Sequence, residues 1–185
     1  MSVLSGLALL LLTGCAAPPP DSTMTLFDFQ DGIEGWTVVN DGIMGGRSEG
    51  HVEADGAALV FTGTVVTEGG GFTSVEGPRR VDLSDYDGVE LRVRGGGRTF
   101  ELEVHDGSSI RGREVSRRAP FPTTDAWATV RVPFDRLEAS VHGDPVDASP
   151  LDLAGVERLT LFIIDGQDGP FRLEVDWMRA YRDDA

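Results

Sequence analysis

Apolar and polar residues alternate along most of this chain, and this alternation limits its folds more than any other feature. It is clearest over residues 89–94, 100–105, 130–134 and 171–177, and Gly-rich or Asp-Gly turn signals recur between such segments. A strand of this kind buries one face and leaves the other in water. The pattern therefore predicts an all-β fold, an antiparallel β-sandwich or jelly roll.

A glycine triplet, Gly95-Gly96-Gly97, joins two of these segments, residues 89–94 and 100–105. Because glycines permit tight turns, we predict that the two strands form a hairpin. Cross-strand ion pairs are then expected among the charged residues of its polar face, which are Arg92, Arg94, Glu101 and Glu103.

The last strand has the most regular alternation. Its apolar residues, Phe171, Leu173, Val175 and Trp177, are predicted to point one way, whereas Met178 falls in the opposite set. A second segment, residues 159–164, is apolar except for Thr160, which predicts a strand covered on both sides. The three tryptophans lie in apolar segments and are predicted to belong to the core: Trp36, Trp127 and Trp177.

Helical signals are short. Phe134–Leu137 and Asp152–Gly155 each predict a single helical turn.

The chain has 185 residues, which suits one domain and a leader. Sixteen basic residues face 31 acidic ones, for a formal net charge of -15. Such a surface repels phosphates and anionic membranes, so nucleic acid is excluded as a partner.

The N-terminal segment predicts export. Leu4–Leu12 is apolar but too short to span a bilayer, and it ends in Leu12-Thr13-Gly14-Cys15, which resembles a bacterial lipobox. We therefore predict a lipoprotein signal peptide over 1–14, an acylated Cys15, a flexible tether over 15–24 and one sandwich domain over 25–183. The predicted location is the bacterial cell envelope, with a lipid anchor in the membrane. The alternative is an ordinary signal peptide cleaved near Ala17.

A distinctive motif spans residues 36–50, WTVVNDGIMGGRSEG. With the segments 70–75, 82–88 and 169–177, it resembles the family named for complex I intermediate-associated protein 30. The resemblance covers Leu26–Tyr181 and implies a galactose-binding-domain-like β-sandwich, opened near Phe27 and closed by the Phe171 strand. Family members act in mitochondria as assembly chaperones for respiratory complex I, the NADH:ubiquinone oxidoreductase.

An exported lipoprotein lies on the wrong side of the membrane for the peripheral arm of complex I, so the chaperone role is an analogy here. The function predicted is a non-catalytic binding module that holds a protein partner or a glycan through its end loops. Two alternatives stay open. One is a carbohydrate-binding or glycan-hydrolysing envelope protein, and the other is a structural envelope lipoprotein.

The motif loop supplies the candidate ligand-binding residues. Asn40 and Asp41 offer hydrogen bonds, Arg47 offers a bidentate fork to a carboxylate, and Met44 offers an apolar surface. The alternative is that these residues only shape the loop. With two polar residues from other loops, the candidate set is Asn40, Asp41, Met44, Arg47, Ser74 and Gln167.

Catalytic signals are weak, and no catalytic residue is predicted. The three histidines fall in different segments without metal-ligand spacing: His51, His105 and His142. Ser48 lies in a Gly-x-Ser-x-Gly string, but Asp55-Gly56 breaks the chain where a nucleophile elbow needs a helix.

A structural Ca²⁺ is the one cofactor considered, because sandwiches of the resembled fold often hold one where the termini meet. The candidate oxygen donors are Asp28, Glu174 and Asp176. The alternative is that these carboxylates are surface charges of an acidic protein.

Overall fold

The computed structural model describes residues 22–183, and it has the predicted all-β architecture. Two antiparallel sheets stack face to face. The strands are β1 (Thr23–Phe27), β2 (Thr37–Asn40), β3 (Glu49–Asp55), β4 (Ala58–Val65), β5 (Thr73–Val81), β6 (Gly88–Arg94), β7 (Thr99–His105), β8 (Ser109–Ile110), β9 (Arg113–Glu114), β10 (Ser116–Pro122), β11 (Ala128–Pro133), β12 (Glu138–Val141), β13 (Asp144–Pro145), β14 (Val156–Ile163) and β15 (Gly169–Tyr181).

The first sheet has the order β11-β6-β15-β4-β3, and β1 also pairs with β15. The thirteen-residue strand β15 accommodates all three partners because it is long. Its first half pairs with β4 and its second half pairs with β6. On the other edge of its C-terminal end, the last four residues, Met178–Tyr181, pair with β1. The second sheet has the order β13-β12-β10-β7-β14-β5-β2, and β8 and β9 form a separate small ribbon.

Four phenylalanines connect the two sheets across the core. Phe61 and Phe171 come from the first sheet, and Phe100 and Phe121 come from the second. Their ring centroids lie 4.8 Å apart for Phe61–Phe171 and 6.1 Å apart for Phe100–Phe171 and Phe100–Phe121. All four are buried, so the apolar positions of the alternating pattern form one continuous interior.

The predicted hairpin at Gly95–Gly97 is wrong. The triplet carries the chain from β6 in the first sheet to β7 in the second, so these strands never pair. The predicted ion pairs therefore have other partners. Arg92 pairs with Asp176 and Arg94 with Glu174 inside the first sheet, whereas Glu101 pairs with Arg118 and Glu103 with His105 in the second.

A β-bulge between Val175 and Trp177 corrects the predicted direction of the last strand's side chains. One extra residue shifts the alternation, so every later side chain moves to the other face. Met178 and Ala180 are consequently fully buried, and Trp177 is half-buried beneath the Arg179 guanidinium.

Of the three tryptophans, the core contains only Trp36. Trp127 is half-exposed and lies under Arg92 and Arg94. The prediction that all three belong to the core is therefore wrong for Trp127 and Trp177, because arginines rather than core residues cover them.

Helical structure is limited to 3₁₀ turns at Asp41–Met44, Phe134–Arg136 and Leu153–Gly155 within residues 22–183. The last two lie at the predicted helical turns, and Asp152 caps the third by accepting a hydrogen bond from Ala154 N. Among the described residues, we find no helix with the length and apolarity that a membrane crossing requires.

The predicted signal peptide and Cys15 anchor lie outside the described residues and stay predictions. The start of the sandwich differs slightly from its predicted position. Thr23 and Met24, assigned to the tether, already pair with Tyr181 and Ala180 and belong to β1.

The bulge makes a prediction that two neighbouring residues of β15 can test. Ala180→Asp places a charge at a fully buried position and should cost more than about 3 kcal/mol of unfolding free energy. Arg179→Asp changes a half-buried residue on the outer face and should cost about 1 kcal/mol. Urea unfolding measures both values, and the opposite ranking would show that the alternation runs through β15 without a bulge.

Candidate functional site

The motif loop is organised by the side chain of Asp41, which is 0% exposed. One carboxylate oxygen, Oδ1, accepts a hydrogen bond from Ser48 N at 2.9 Å. The other, Oδ2, accepts from Gly71 N at 2.7 Å and from Phe72 N at 3.3 Å. Because these donors belong to two separate loops, the carboxylate holds the motif loop against residues 69–72.

The same carboxylate explains two glycines. A Cβ atom at Gly46 or Gly70 would overlap the side chain of Asp41, so both positions must lack one. By contrast, a Cβ at Gly42, in the same loop, would meet nothing within 4 Å. The Gly45-Gly46 pair of the motif thus contains one glycine that the packing requires, and Gly45 itself has a φ of 88°, which favours glycine.

The hydrogen bonds also determine the charge of Asp41. Burial alone raises the pKa of its carboxyl group, but the hydrogen bonds from Gly71, Ser48 and Phe72 outweigh burial and hold the pKa below its ordinary value of 3.8. Asp41 is therefore an ionised group whose acceptors are used inside the protein.

Asn40 and Ser48 also have structural roles. Asn40 Oδ1 accepts from Gly50 N at 3.0 Å and from Thr73 Oγ1 at 2.6 Å. Ser48 is buried and exchanges hydrogen bonds with the backbone of Val66, which is no setting for a nucleophile. The alternative that these residues shape the loop therefore describes Asn40 and Asp41 better than ligand binding does.

The remaining candidates have different positions. Arg47 is exposed and pairs with Glu68 at 2.5 Å, while Met44 is 65% exposed. Ser74 is buried, with Oγ donating to Val39 O at 3.5 Å. Gln167 lies in an exposed loop in which its carbonyl accepts from Arg98, and it does not line the cleft described next. Of the six predicted residues, the structure brings Met44 and Ser74 to one cleft.

This cleft, of about 500 Å³, lies on the outer face of the second sheet, and we call it the outer cleft. One half of it is apolar. It is lined by five residues from the motif loop, from the loop before β5, from strands β2 and β14 and from the position directly after β14: Val39, Met44, Phe72, Phe162 and Ile164.

The apolar half exposes large side chains to water. Val39, Met44 and Ile164 are 37%, 65% and 40% exposed, which is high for large hydrophobic side chains. Phe72 and Phe162 lie between them with ring centroids 5.9 Å apart, and the Arg118 guanidinium lies 4.9 Å from the Phe162 ring centroid. Because large exposed apolar side chains converge at one place, this half has the character of a binding surface.

The run 159–164 therefore differs from its prediction. Leu159, Leu161 and Ile163 point into the core, but Phe162 and Ile164 point outward, where Arg118 partly covers Phe162 and Ile164 is exposed. The run 159–164 is apolar on both faces, and we interpreted this as a strand covered on both sides. The apolar outer face was in fact the sequence signal for the exposed apolar half of the cleft.

The other half of the outer cleft is polar and surrounds a buried histidine. His105 Nε2 lies 2.8 Å from Glu103 Oε1, and His105 Nδ1 lies 2.9 Å from Glu114 Oε1. Glu103 and His105 are 2% and 5% exposed. Since each ring nitrogen faces a carboxylate oxygen, the arrangement fits an imidazolium that donates on both sides.

The neighbouring charges support that protonation state. Burial lowers the pKa of His105 and the nearby Arg158 charge lowers it further, but the hydrogen bond and charge of Glu103, with the charge of Glu114, leave the pKa above its ordinary value of 6.5. Arg158 Nη2 also lies 3.0 Å from His105 Nδ1, but it cannot donate to a protonated nitrogen, so we assign its hydrogen bond to Glu114 Oε1 at 2.9 Å.

This cluster brings together a histidine and two carboxylates, which sequence reasoning did not assemble. Glu114 belongs to the separate ribbon of β8 and β9, so nothing in the spacing indicated its contact with His105. A histidine with both nitrogens bonded has no free lone pair to accept a substrate proton. The cluster is therefore a structural ion pair network rather than a general base.

The outer face of the first sheet is different, because its charges neutralise one another. Glu174 accepts from Arg94 and Arg172, Asp176 pairs with Arg92, and Glu90 pairs with Arg131. Two of the candidate calcium ligands, Glu174 and Asp176, are thus engaged by arginines.

The third candidate calcium ligand, Asp28, accepts from Gln30 N in a local turn. In the described part of the chain, no three His, Cys, Asp or Glu side chains group as a metal ion would require. The contacts of these three carboxylates do not fit a calcium site.

The fold has close structural counterparts among carbohydrate-binding modules. The family 11 module of Clostridium thermocellum, in complex with a β-1,3-1,4-mixed-linked tetrasaccharide, superposes with a TM-score of 0.65 at 17% identity, covering 86% of this chain and 95% of the module. The family 11 module of a cellulosomal cellulase from the same organism gives 0.66 at 15% identity, covering 88% and 96%. At these identities the likeness establishes the fold alone, a galactose-binding-like β-sandwich.

The chain belongs to the complex I intermediate-associated protein 30 family, which it matches over residues 25–175. The mouse protein named complex I intermediate-associated protein 30, mitochondrial, is 26% identical over 183 residues, covering 86% of this chain and 56% of the mouse protein. Its counterpart in Drosophila melanogaster is 25% identical over 186 residues, covering 86% and 63%. The chain thus spans about half to two thirds of the length of these relatives.

The relatives correct one prediction. The proteins from mouse, Drosophila and Caenorhabditis elegans are all named as mitochondrial, which contradicts the predicted location in a bacterial cell envelope. That prediction rested on the short apolar segment at the N-terminus. Such a segment is weaker evidence of location than the family match over residues 25–175.

The glycines of the motif loop provide a matched test of the Asp41 site. Gly46→Ala should cost about 1–3 kcal/mol of unfolding free energy because its methyl group meets the buried carboxylate. Gly42→Ala should change stability by less than about 0.5 kcal/mol because the space is open. Equal effects in chemical denaturation would mean that Asp41 does not pack as described.

His105 predicts a dependence of stability on pH. Because the pKa of His105 is raised on folding, its charged interactions stabilise the protein fully below its ordinary value of 6.5, and this contribution is lost as pH rises through the folded value. The difference in unfolding free energy between the native chain and His105→Gln should therefore narrow as pH rises above 6.5. Urea titrations at a series of pH values measure it, and a constant difference would contradict the imidazolium assignment.

Proposed function

We propose that this chain is a non-catalytic binding module that holds a polypeptide partner in its outer cleft, and that the partner is a component or assembly intermediate of respiratory complex I. The observation that carries the proposal is the convergence of Val39, Met44 and Ile164, all exposed, on one cleft. Fully burying a side chain of this size contributes about 1.5–3 kcal/mol. A few such contacts supply most of the binding energy of a typical protein interface.

The geometry supports a preformed surface. Met44 and Phe72 lie in the two loops that the Asp41 carboxylate joins, and Val39 directly precedes Asn40, which is itself hydrogen-bonded. Groups held in place before binding lose little conformational freedom on binding, which favours affinity.

The choice of complex I comes from the family. Its curated members carry that name, and a match across most of this chain supports a shared role. The objection that an exported protein cannot reach the peripheral arm of complex I no longer applies, because the envelope location is contradicted. The relatives are longer than this chain, so the role proposed here is that of the domain alone.

A glycan is the second candidate, and the fold favours it, since solved neighbours are carbohydrate-binding modules. The side chains favour it less. No Trp or Tyr lines the outer cleft, and Arg118 lies over the Phe162 ring, so within residues 22–183 the cleft offers no open aromatic platform for a sugar. A purely structural role would leave the exposed apolar half without an explanation.

Site-specific photocrosslinking in the native cells tests the proposal with the full chain. A photoreactive phenylalanine analogue at Val39, in the outer cleft, should cross-link to a complex I subunit identified by mass spectrometry. The same group at Thr129, exposed on β11 of the first sheet, should not. Ile164→Asp should lower the Val39 yield about tenfold, whereas Thr129→Asp should leave it unchanged.

Two results would contradict the proposal. Equal capture of complex I subunits from Val39 and Thr129 would show that the cleft is not the binding surface. Binding on a glycan array that Ile164→Asp abolishes, without any complex I cross-link, would favour the glycan.

A further inference from the structure

A second cleft, of about 470 Å³, lies between the β8–β9 ribbon and the β12–β13 hairpin at one edge of the second sheet. We call it the ribbon cleft. It is lined by three half-buried aliphatic residues, Ile110, Val141 and Val146, and by three exposed charged residues, Arg111, Arg113 and Asp144. With two arginines and one carboxylate, the cleft is locally basic in a chain whose formal net charge is -15.

The charges of the two arginines are not neutralised. Most arginines of this chain pair with a carboxylate. Within residues 22–183, by contrast, Arg111 and Arg113 form no ion pair. Asp144 lines the same cleft but pairs with neither, and Glu114, next to Arg113, is paired with His105 and Arg158. Guanidinium groups carry only donors and are best matched by carboxylates, so the cleft offers two cationic groups to a ligand.

The backbone holds Arg111 in a conformation that arginine seldom adopts. Ile110 pairs with Arg113, which leaves Arg111 and Gly112 as a two-residue turn with φ angles of 54° and 76°. Positive φ at both central residues is characteristic of a type I′ turn, in which Asn, Asp or Gly is the usual first residue. An arginine kept where a different residue would be less strained indicates that its side chain is needed.

The ribbon cleft adjoins the outer cleft along both hairpins. In the β12–β13 hairpin, Val141 lines the ribbon cleft and its neighbour His142 lines the outer cleft. In the ribbon, Arg113 lines the ribbon cleft and its neighbour Glu114 lines the outer cleft. A polypeptide bound in the outer cleft can therefore extend directly into the ribbon cleft.

We propose that the ribbon cleft is a second contact site for the polypeptide partner, and that it binds a segment in which Asp or Glu residues flank an aliphatic residue. The carboxylates pair with Arg111 and Arg113, and the aliphatic side chain packs on Ile110, Val141 and Val146. The inference rests on the proposed function and adds the chemistry of a partner segment beyond the outer cleft.

An array of unstructured peptides, probed with the full chain, tests this chemistry. Each peptide carries one Leu flanked on both sides by Glu, Gln or Lys, and a parallel set has Gly in place of Leu. A surface that acted only through the overall charge of this acidic chain would favour Lys and bind Glu least. The ribbon cleft should instead bind the Glu peptides about fivefold tighter than the Gln peptides, and Gly in place of Leu should weaken binding.

Matched variants assign the preference to the cleft. Arg111→Asn removes the charge and supplies a residue that adopts positive φ more readily, so it should equal or exceed the native chain in thermal stability while losing most of the Glu preference. Arg113→Gln should also reduce that preference. Arg136→Gln removes one charge from an exposed arginine outside the cleft and should retain it.

Cross-linking in the native cells tests whether both clefts hold the same partner. A photoreactive phenylalanine analogue at Asp144, exposed in the ribbon cleft, should capture the complex I subunit that is captured from Val39. The yield from Asp144 should fall about fivefold in Arg111→Asn and stay unchanged in Arg136→Gln.

Three results would overturn the inference. They are Glu peptides that bind no tighter than Gln peptides, a Glu preference that survives both Arg111→Asn and Arg113→Gln, and an Asp144 position that captures nothing while Val39 still captures a complex I subunit. Failure of the proposed function is distinguishable, because it removes the Val39 cross-link itself. If the Glu preference persists in that case, the ribbon cleft binds acidic segments and the partner named above is wrong.

Discussion

The buried carboxylate of Asp41 is the group on which the geometry of the outer cleft depends. It accepts three backbone N–H groups from two loops that are distant in sequence. No other charged group in the motif loop is so completely enclosed, and Gly46 and Gly70 leave the room that the carboxylate occupies. Its buried charge is stable there because hydrogen bonds replace the water that it lost. The loops so joined present Met44 and Phe72, and the apolar half of the cleft follows from that arrangement.

The same acidic chain has two outer faces with opposite character. On the first sheet, arginines and carboxylates alternate across neighbouring strands and neutralise each other, and arginines also cover Trp127 and Trp177. On the second sheet, Val39, Met44 and Ile164 stay exposed beside carboxylates that pair with His105, Arg118 and Arg158. A surface that satisfies its own charges has little to offer a ligand, whereas one with exposed apolar side chains gains free energy when a partner covers them.

The sequence was sufficient for the fold and for little of the site. Alternation and turn signals predicted an antiparallel sandwich because they act locally, and the motif loop was recognisable by its residue order. The Val175–Trp177 bulge could not be recognised from the sequence. A single extra residue leaves the alternating composition of β15 looking regular while it reverses the direction of Met178. Gly95–Gly97 looked like a hairpin turn because local sequence does not tell whether a chain returns to its own sheet or crosses to the other.

The site itself is built from contacts that sequence spacing does not encode. Glu103 and His105 share a strand face, but Glu114 reaches them from a separate ribbon. The likeness to carbohydrate-binding modules is a likeness of the backbone fold. The side chains of the outer cleft do not form an aromatic platform of the kind on which a sugar stacks. A shared sandwich therefore supplies the open sheet face, and the residues placed on that face decide whether a glycan or a polypeptide binds it.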